Sequence, residues 1–339
     1  MESTTTDRIS LRRYAETILY SDRLADKLIV VGRFEDHDPG LALTAPRFPV
    51  RPKEIDLELN RHRAKVPFPT LRDLEEERFR GYVMHFFANH ELLALELMAL
   101  VLLRFPDAPT SFRRGIAQTM QEEQTHMRLY LERMRETGVE FGEIPVNDFF
   151  WNCIADMRDP LDFVARMSLT FEQANLDYSL YYQKAFGTLG DARTTEILDT
   201  VYRDEVGHVK HGLVWFNRWR DPRETEWESY VKHLEFPLSP ARAKGLEFDI
   251  ETRRQIGFSE AFITRLELFS QSKGRPPRVF VFDPSVESYV AEAGRTYNPG
   301  AAAERLRRDL ELVPIFLAAA DDVVLVERPA SDAFLLGLR

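Results

Sequence analysis

Two stretches of this 339-residue chain carry the same pair of metal-ligating side chains. They are Glu122-Glu123-Gln124-Thr125-His126 and, about eighty residues later, Arg203-Asp204-Glu205-Val206-Gly207-His208. Each contains Glu-x-x-His within a segment patterned as helix. Residues i and i+3 share a helix face, so one carboxylate and one imidazole project together toward one point. Of the eight histidines, only His126 and His208 follow a glutamate by three positions. One such step on an amphipathic helix is usually a surface pair or a packed residue. Two on facing helices can hold two metal ions.

A four-helix dimetal site needs two further carboxylates, one from each remaining helix. Glu172 precedes Glu205 by 33 residues and directly follows the apolar run Phe163 to Phe171; Glu91 precedes Glu123 by 32, within Phe86 to Leu95. A charge in such a run must be paired or must bind something. Glu96 competes with Glu91, but it lies five residues further on, about 140° round the helix, and breaks the interval. The expected ligand set is therefore Glu91, Glu123, His126, Glu172, Glu205 and His208. Asp204 points about 100° away from Glu205 and is expected to accept the outer N–H of His126 from the facing helix. Glu122 is expected to do the same for His208. His211, one turn past His208, reads either as packing or as a contact to a ligand residue or substrate. Carboxylates with imidazoles suit iron or manganese, with zinc less favoured. The expected cofactor is two iron ions or a manganese–iron pair.

The order of these residues resembles the ferritin-like dimetal-carboxylate superfamily. More narrowly, His90 to Met98, Leu103 to Pro109 and Arg203 to Val209 resemble the bacterial ferritin-like family catalogued as domain of unknown function 455, as do Tyr20 to Leu28 and the Pro-rich Arg47 to Pro52. The likeness covers roughly residues 15 to 270. It implies a ferritin-like fold and a dimetal site, and names no substrate.

The elements needed to hold such a site can be traced along the chain. Residues 8 to 28 read as a short helix, and 29 to 69, with Pro46, Pro49, Pro52, Pro67 and Pro69, as an extended arm wrapping the bundle. That arm could serve as a lid or as a homodimer contact. Four helices follow, at about Thr70 to Arg104, Thr110 to Thr137, Leu161 to Phe186, and Asp191 to Arg220. Thr70 and Asp73 form a capping-box-like start, Gly138 a C-cap, and an aromatic crossover at 139 to 160 joins the two hairpins. Residues 221 to 274 read as a helical extension with short helices around Ala241 to Gly245 and Ile250 to Phe269. There Arg242, Lys244, Arg253 and Arg254 read first as a solvated basic face and second as an anion contact. Residues 275 to 339 read as a small β-α-β unit of two buried strands, without a glycine fingerprint. The expected fold is mainly α: a ferritin-like four-helix bundle with an N-terminal arm and a small C-terminal α/β unit.

Composition narrows the function classes. The net charge of −10 argues against a general nucleic-acid surface, and one cysteine, Cys153, excludes an internal disulfide. The N-terminus lacks a signal-peptide pattern, and no apolar run reaches the roughly twenty residues of a membrane span. A cytoplasmic protein without a membrane partner is expected. Three functions compete. The first is an O2-dependent oxygenase or oxidase acting on a small organic or modified substrate, with an electron donor that the sequence does not identify; a tRNA hydroxylase is a special case disfavoured by the acidity. The second is a ferroxidase or iron-handling protein, and the third a metal-free helical interaction module. The arm, crossover and C-terminal extension could enclose a substrate pocket, which favours the first.

Overall fold

The computed structural model describes residues 5–268, 278–283, 286, 290, 300–318, 322–331 and 334. The chain is mainly helical and divides into two compact units, Met1–Thr264 and Arg265–Arg339.

In the first unit the N-terminal segment is not one helix. Strand β1 (Thr5–Ser10) leads into α1 (Leu11–Tyr20) and the short α2 (Leu24–Lys27), and β2 (Val30–Glu35) returns parallel to β1, with Thr5 opposite Val30 and Ile9 opposite Phe34. Ser10 caps α1 by accepting from the Arg13 N–H, and Tyr14 is buried with its ring 4.8 Å from that of Phe34. The polar run Thr-Thr-Asp-Arg carries no strand alternation of its own. Its pairing depends on β2, which the reading as a single helix missed.

The arm segment contacts the helices at several points. Arg113 holds Asp36 with two 2.9 Å contacts, Leu43 N–H donates to Leu103 O at 2.9 Å, and Trp151 Nε1–H donates to Arg47 O at 2.8 Å. A short helix α3 (Leu57–Asn60) interrupts it.

Four long helical segments form the centre. The first, α4 (Glu77–Arg104), starts seven residues later than expected. Thr70 and Asp73 do form the reciprocal side-chain bonds, but they close a 3-10 turn over Asp73–Glu75, and extended backbone at Glu76 separates it from the helix. Every residue from Glu91 to Leu103 is buried. This helix is long and apolar enough to cross a membrane, correcting the reading that no run reaches that length; 83% of its most apolar window lies inside the protein, as in a core helix. α5 (Thr110–Glu136) follows a tight turn and is closed just beyond its end by Gly138, whose φ of +71° favours glycine. The crossover carries α6 (Phe149–Ile154).

The third segment is composite. α7 (Pro160–Phe163) opens into nine residues of π-helix, Val164–Glu172, and then α8 (Gln173–Thr188). The wider π turn resets the register of Glu172 relative to a helix begun at Pro160, and such turns gather at functional sites. It approaches α9 (Ala192–Trp219) so closely at Gly212 that a Cβ there would lie 2.2 Å from Ser168 Cβ. Asp191 caps α9 and is gripped by Arg133 of α5 at 2.9 Å. α4 packs on α5, α8 and the π segment on α9, and α5 on α9.

Beyond α9 come α10 (Glu226–Lys232), a 3-10 turn at Pro240–Ala243, α11 (Ile250–Ile256) and α12 (Glu260–Leu268). Gly257, at φ +114°, breaks what the sequence suggested was one helix. The basic residues of this region do not form one solvated face. Arg253 is buried and clamps Asp177 at 2.7 and 2.9 Å. Arg254 pairs with Glu251 and Glu260, while Arg242 lies over the Phe149 ring.

In the second unit β3 (Val279–Val281) pairs in parallel with β4 (Val323–Leu325), and α13 (Ala301–Leu310) lies between them in sequence. These strands were expected to be buried. Instead Val279, Val281, Val323 and Leu325 are 45–69% exposed.

Candidate metal centre

The four long segments bring all six expected ligand residues together. Ligand-type atoms of Glu91, Glu123, His126 and Glu205 lie within 4.8 Å of one another, as do those of Glu123, Glu172 and His208. Glu123 belongs to both groups and would help hold an ion at either. All six residues are at least 96% buried.

Helix geometry explains the orientation of the histidines. His126 Nδ1 faces inward, 3.2 Å from Glu123 Oε2, and its Nε2 meets Asp204 Oδ2 at 3.0 Å. His208 mirrors this: Nδ1 faces Glu123 Oε1 at 3.3 Å, while Nε2 meets Glu122 Oε2 at 2.8 Å. Each outer carboxylate thus comes from the residue preceding the opposite helix's ligand glutamate. Both outer contacts fix the tautomer that leaves Nδ1 for the interior. His211 lies outside the cluster. It stacks on Phe112 and accepts the Trp215 Nε1–H at 3.0 Å, and Gly115 leaves room for it, since a Cβ there would come within 2.1 Å of His211 Nε2. Burial lowers its pKa to about 4, keeping it neutral.

Glu96 takes no part. It is buried against Arg51, whose Nη2 is 2.6 Å from Oε2, and Lys27, whose Nζ is 2.9 Å from Oε1. That pairing leaves Glu91 as the carboxylate of α4 in the cluster.

The centre is electrostatically tense. Burial, then the nearby Glu123 charge, raises Glu91 well above the ordinary carboxylate range. Glu172 is pushed up to about 8, again mainly by burial. Burial also opposes ionisation of Glu123, but the His126 and His208 imidazoles beside it prevail and hold it well below the usual range. His126 is drawn down by burial and raised more by Asp204 and Glu123, to about 9; His208 is lifted well above its ordinary value against burial by Glu122, Glu123 and Glu205. Two buried atoms still lack hydrogen-bond partners: Glu205 Oε2 and His208 Nδ1, 3.5 Å apart. Buried polar atoms are rarely left so. An ion between them would satisfy both, so the donor set fits a metal.

Sequence reading missed three residues that complete the surroundings. Asn175 donates from Nδ2 to Glu205 Oε1 at 2.9 Å, orienting that carboxylate. Tyr130 is buried beside Glu91, its phenol raised well above its ordinary value mainly by burial. Arg51 supplies the charge that occupies Glu96. Asn175 and Tyr130 follow Glu172 and His126 by three and four positions, so helical spacing could have found them; Arg51 lies in the arm and has no such signal.

A cavity of about 310 Å³ lies against His208, Glu122 and Asp204, and two more lie on the Glu91 side. A neck of about 20 Å³ is bounded by Glu91, Tyr130, Asn175 and His90. Beyond it lies a larger cavity of about 620 Å³, sharing Phe87, His90, Asn175 and Tyr178 with the neck. Its walls come from the arm (Phe68), the crossover (Phe149, Phe150) and the C-terminal extension (Arg242, Leu246).

The chain is 24% identical over 197 residues to an "Uncharacterized protein" of Haemophilus influenzae, covering 56% of this chain and 68% of that relative. No solved structure matches. Residues 6–264, which include the complete cluster, match the family described as "Protein of unknown function (DUF455)", and the chain belongs to that family.

Proposed function

We propose that the protein is a non-haem dimetal oxidoreductase built on a ferritin-like four-helix bundle, with two iron ions or a manganese–iron pair, that uses O2 to oxidise or hydroxylate a small organic or modified substrate. The observation that carries this reading is the pair of orphaned atoms, Glu205 Oε2 and His208 Nδ1, buried among four carboxylates and two imidazoles. Glu91, Glu123, His126, Glu172, Glu205 and His208 would hold the ions. When bound, the pair supplies reduction of O2. For a hydroxylation the balance is R–H, O2, two electrons and two protons giving R–OH and water, the electrons coming from an external donor.

The chain's own residues perform the supporting work. Asp204 and Glu122 hold the imidazoles so that Nδ1 faces inward, and Asn175 fixes one oxygen of Glu205. The buried surroundings keep bulk water from the cluster. The neck is wide enough for one small molecule, since a water needs about 10–15 Å³. A reducing cytoplasm suits the buried Cys153, whose thiol burial pushes up to about 11.

Iron oxidation and storage would use the same six residues, but it gives no role to the large aromatic cavity beside them. A metal-free interaction module would leave the two orphaned atoms unsatisfied. The test is O2 uptake after anaerobic loading with iron(II). Uptake well above that of free iron(II), and its loss in Glu123→Ala, is expected; uptake no faster than free iron(II) would count against the reading.

A further inference from the structure

The large cavity has a chemical character that the metal ligands do not dictate. Its walls are largely aromatic. Phe150 stacks on Phe171 with centroids 3.9 Å apart, and His90 stacks on Phe150 at 4.8 Å. Phe87 and Phe68 pack edge-on or tilted against Tyr182 at 5.4 and 5.7 Å. Flat rings presenting faces and edges select a flat apolar body. The volume, about 620 Å³, is that of a site for a small organic molecule.

The wall of the large cavity also carries a cation, from a residue that does not line the neck. Arg242 is exposed, and its guanidinium carbon lies 4.8 Å from the Phe149 centroid, so the ring face holds the fork in place at the rim. Among the described residues it forms no ion pair. Lys244 lines the same wall. A guanidinium preorganised on a ring binds carboxylate or phosphate through two N–H groups. Arg242 lines the large cavity and not the neck, Asn175 lines both, and Glu91 lines the neck alone.

We propose that the cavity binds an aromatic or similarly flat apolar molecule bearing one anionic group, a carboxylate or a phosphate, with the anion on Arg242 and the apolar end directed toward the neck. As a statement about substrate class this rests on the dimetal reading of the neighbouring cluster; as a binding site it does not.

The probes are 1-naphthaleneacetate, 1-naphthyl phosphate and the uncharged 1-naphthalenemethanol, titrated by calorimetry into the full chain, with metal content measured on the same samples. At least one anion is expected to bind about tenfold tighter than the alcohol, the size of one charge-assisted hydrogen bond, and the tighter anion identifies the group. Arg242→Gln, at an exposed position that does not threaten the fold, should remove that preference and leave the alcohol unchanged. Ala174→Phe, which fills the cavity, should weaken all three probes. Equal binding of anions and alcohol, or a preference that survives Arg242→Gln, would overturn the proposal. Failure of the dimetal reading looks different: no metal, but an intact anion preference that depends on Arg242.

Discussion

Glu91 and Glu96 lie five residues apart on α4, both buried, and the chain treats them differently. Glu96 meets two cations, Arg51 and Lys27, at 2.6–3.0 Å, and the excess charge is spread further through bonds to Asn89 and to the Ile18 carbonyl. Burial pulls Lys27 below its ordinary value, while Glu96 pulls it back up. Among the described residues Glu91 faces other carboxylates and no lysine or arginine, and the cluster's cations are imidazoles. The first arrangement is closed by the chain itself. The second is balanced only by bound protons, in a place where a divalent ion would do the same. A buried carboxyl that the chain leaves without a lysine or arginine partner marks a candidate site.

The largest difference between the two regions should appear in stability. Glu96→Gln leaves Arg51 and Lys27 buried without their counter-charge, and should destabilise the metal-free protein by about 3–5 kcal/mol in denaturant unfolding, with metal content per folded chain unchanged. Glu91→Gln should do the reverse, removing metal.

A change at Gly212 tests whether the π segment matters to the second region. Gly212→Ala forces a methyl against Ser168 and should cost about 1–3 kcal/mol, with metal content falling as Glu172 is displaced. A stable variant with full metal content would show that the close approach is incidental. Asp204→Asn removes the charge behind His126 and should weaken metal binding about 10–100-fold in competition with a chelator, with little effect on the fold.

The pH dependence has a defined sign. Glu172, at about 8, and His126, at about 9, both hold protons in the folded metal-free state that the unfolded chain releases near 4.5 and 6.5. Folded protein binds more protons across those windows, so its stability falls as pH rises through them. A bound metal would displace these protons, so its stabilising effect should grow with pH. Melting temperatures with and without manganese(II) at pH 6 and pH 8 would check this. A pH-independent increment would contradict it. The smallest effect belongs to Glu91→Gln, which replaces a carboxyl already held protonated by burial and should change metal-free stability by less than about 1 kcal/mol, since the substitution is isosteric.

The cluster could be read from the sequence because its rules are local. Glu-x-x-His fixes a shared face, and the intervals of 32 and 33 residues set corresponding heights on antiparallel helices. The same reasoning paired His126 with Asp204 and His208 with Glu122. What escaped it depends on distant partners. Arg51 meets Glu96 across 45 residues and Lys27 across 69. β1 is a strand only because β2 returns beside it. The π turn over Val164–Glu172 has the same apolar composition as an α-helix. The start of α4 was misplaced because a sound capping pair at Thr70 and Asp73 closes a separate turn.

The most direct test is metal content per chain, measured on protein purified without chelator and again after anaerobic iron(II) loading, beside Glu123→Ala and His208→Ala. A dimetal centre of six residues requires about two iron or manganese ions per chain, lost in both variants while the helical signal persists. No metal above background after loading would contradict the dimetal centre and leave a buried acid cluster held together by protons alone.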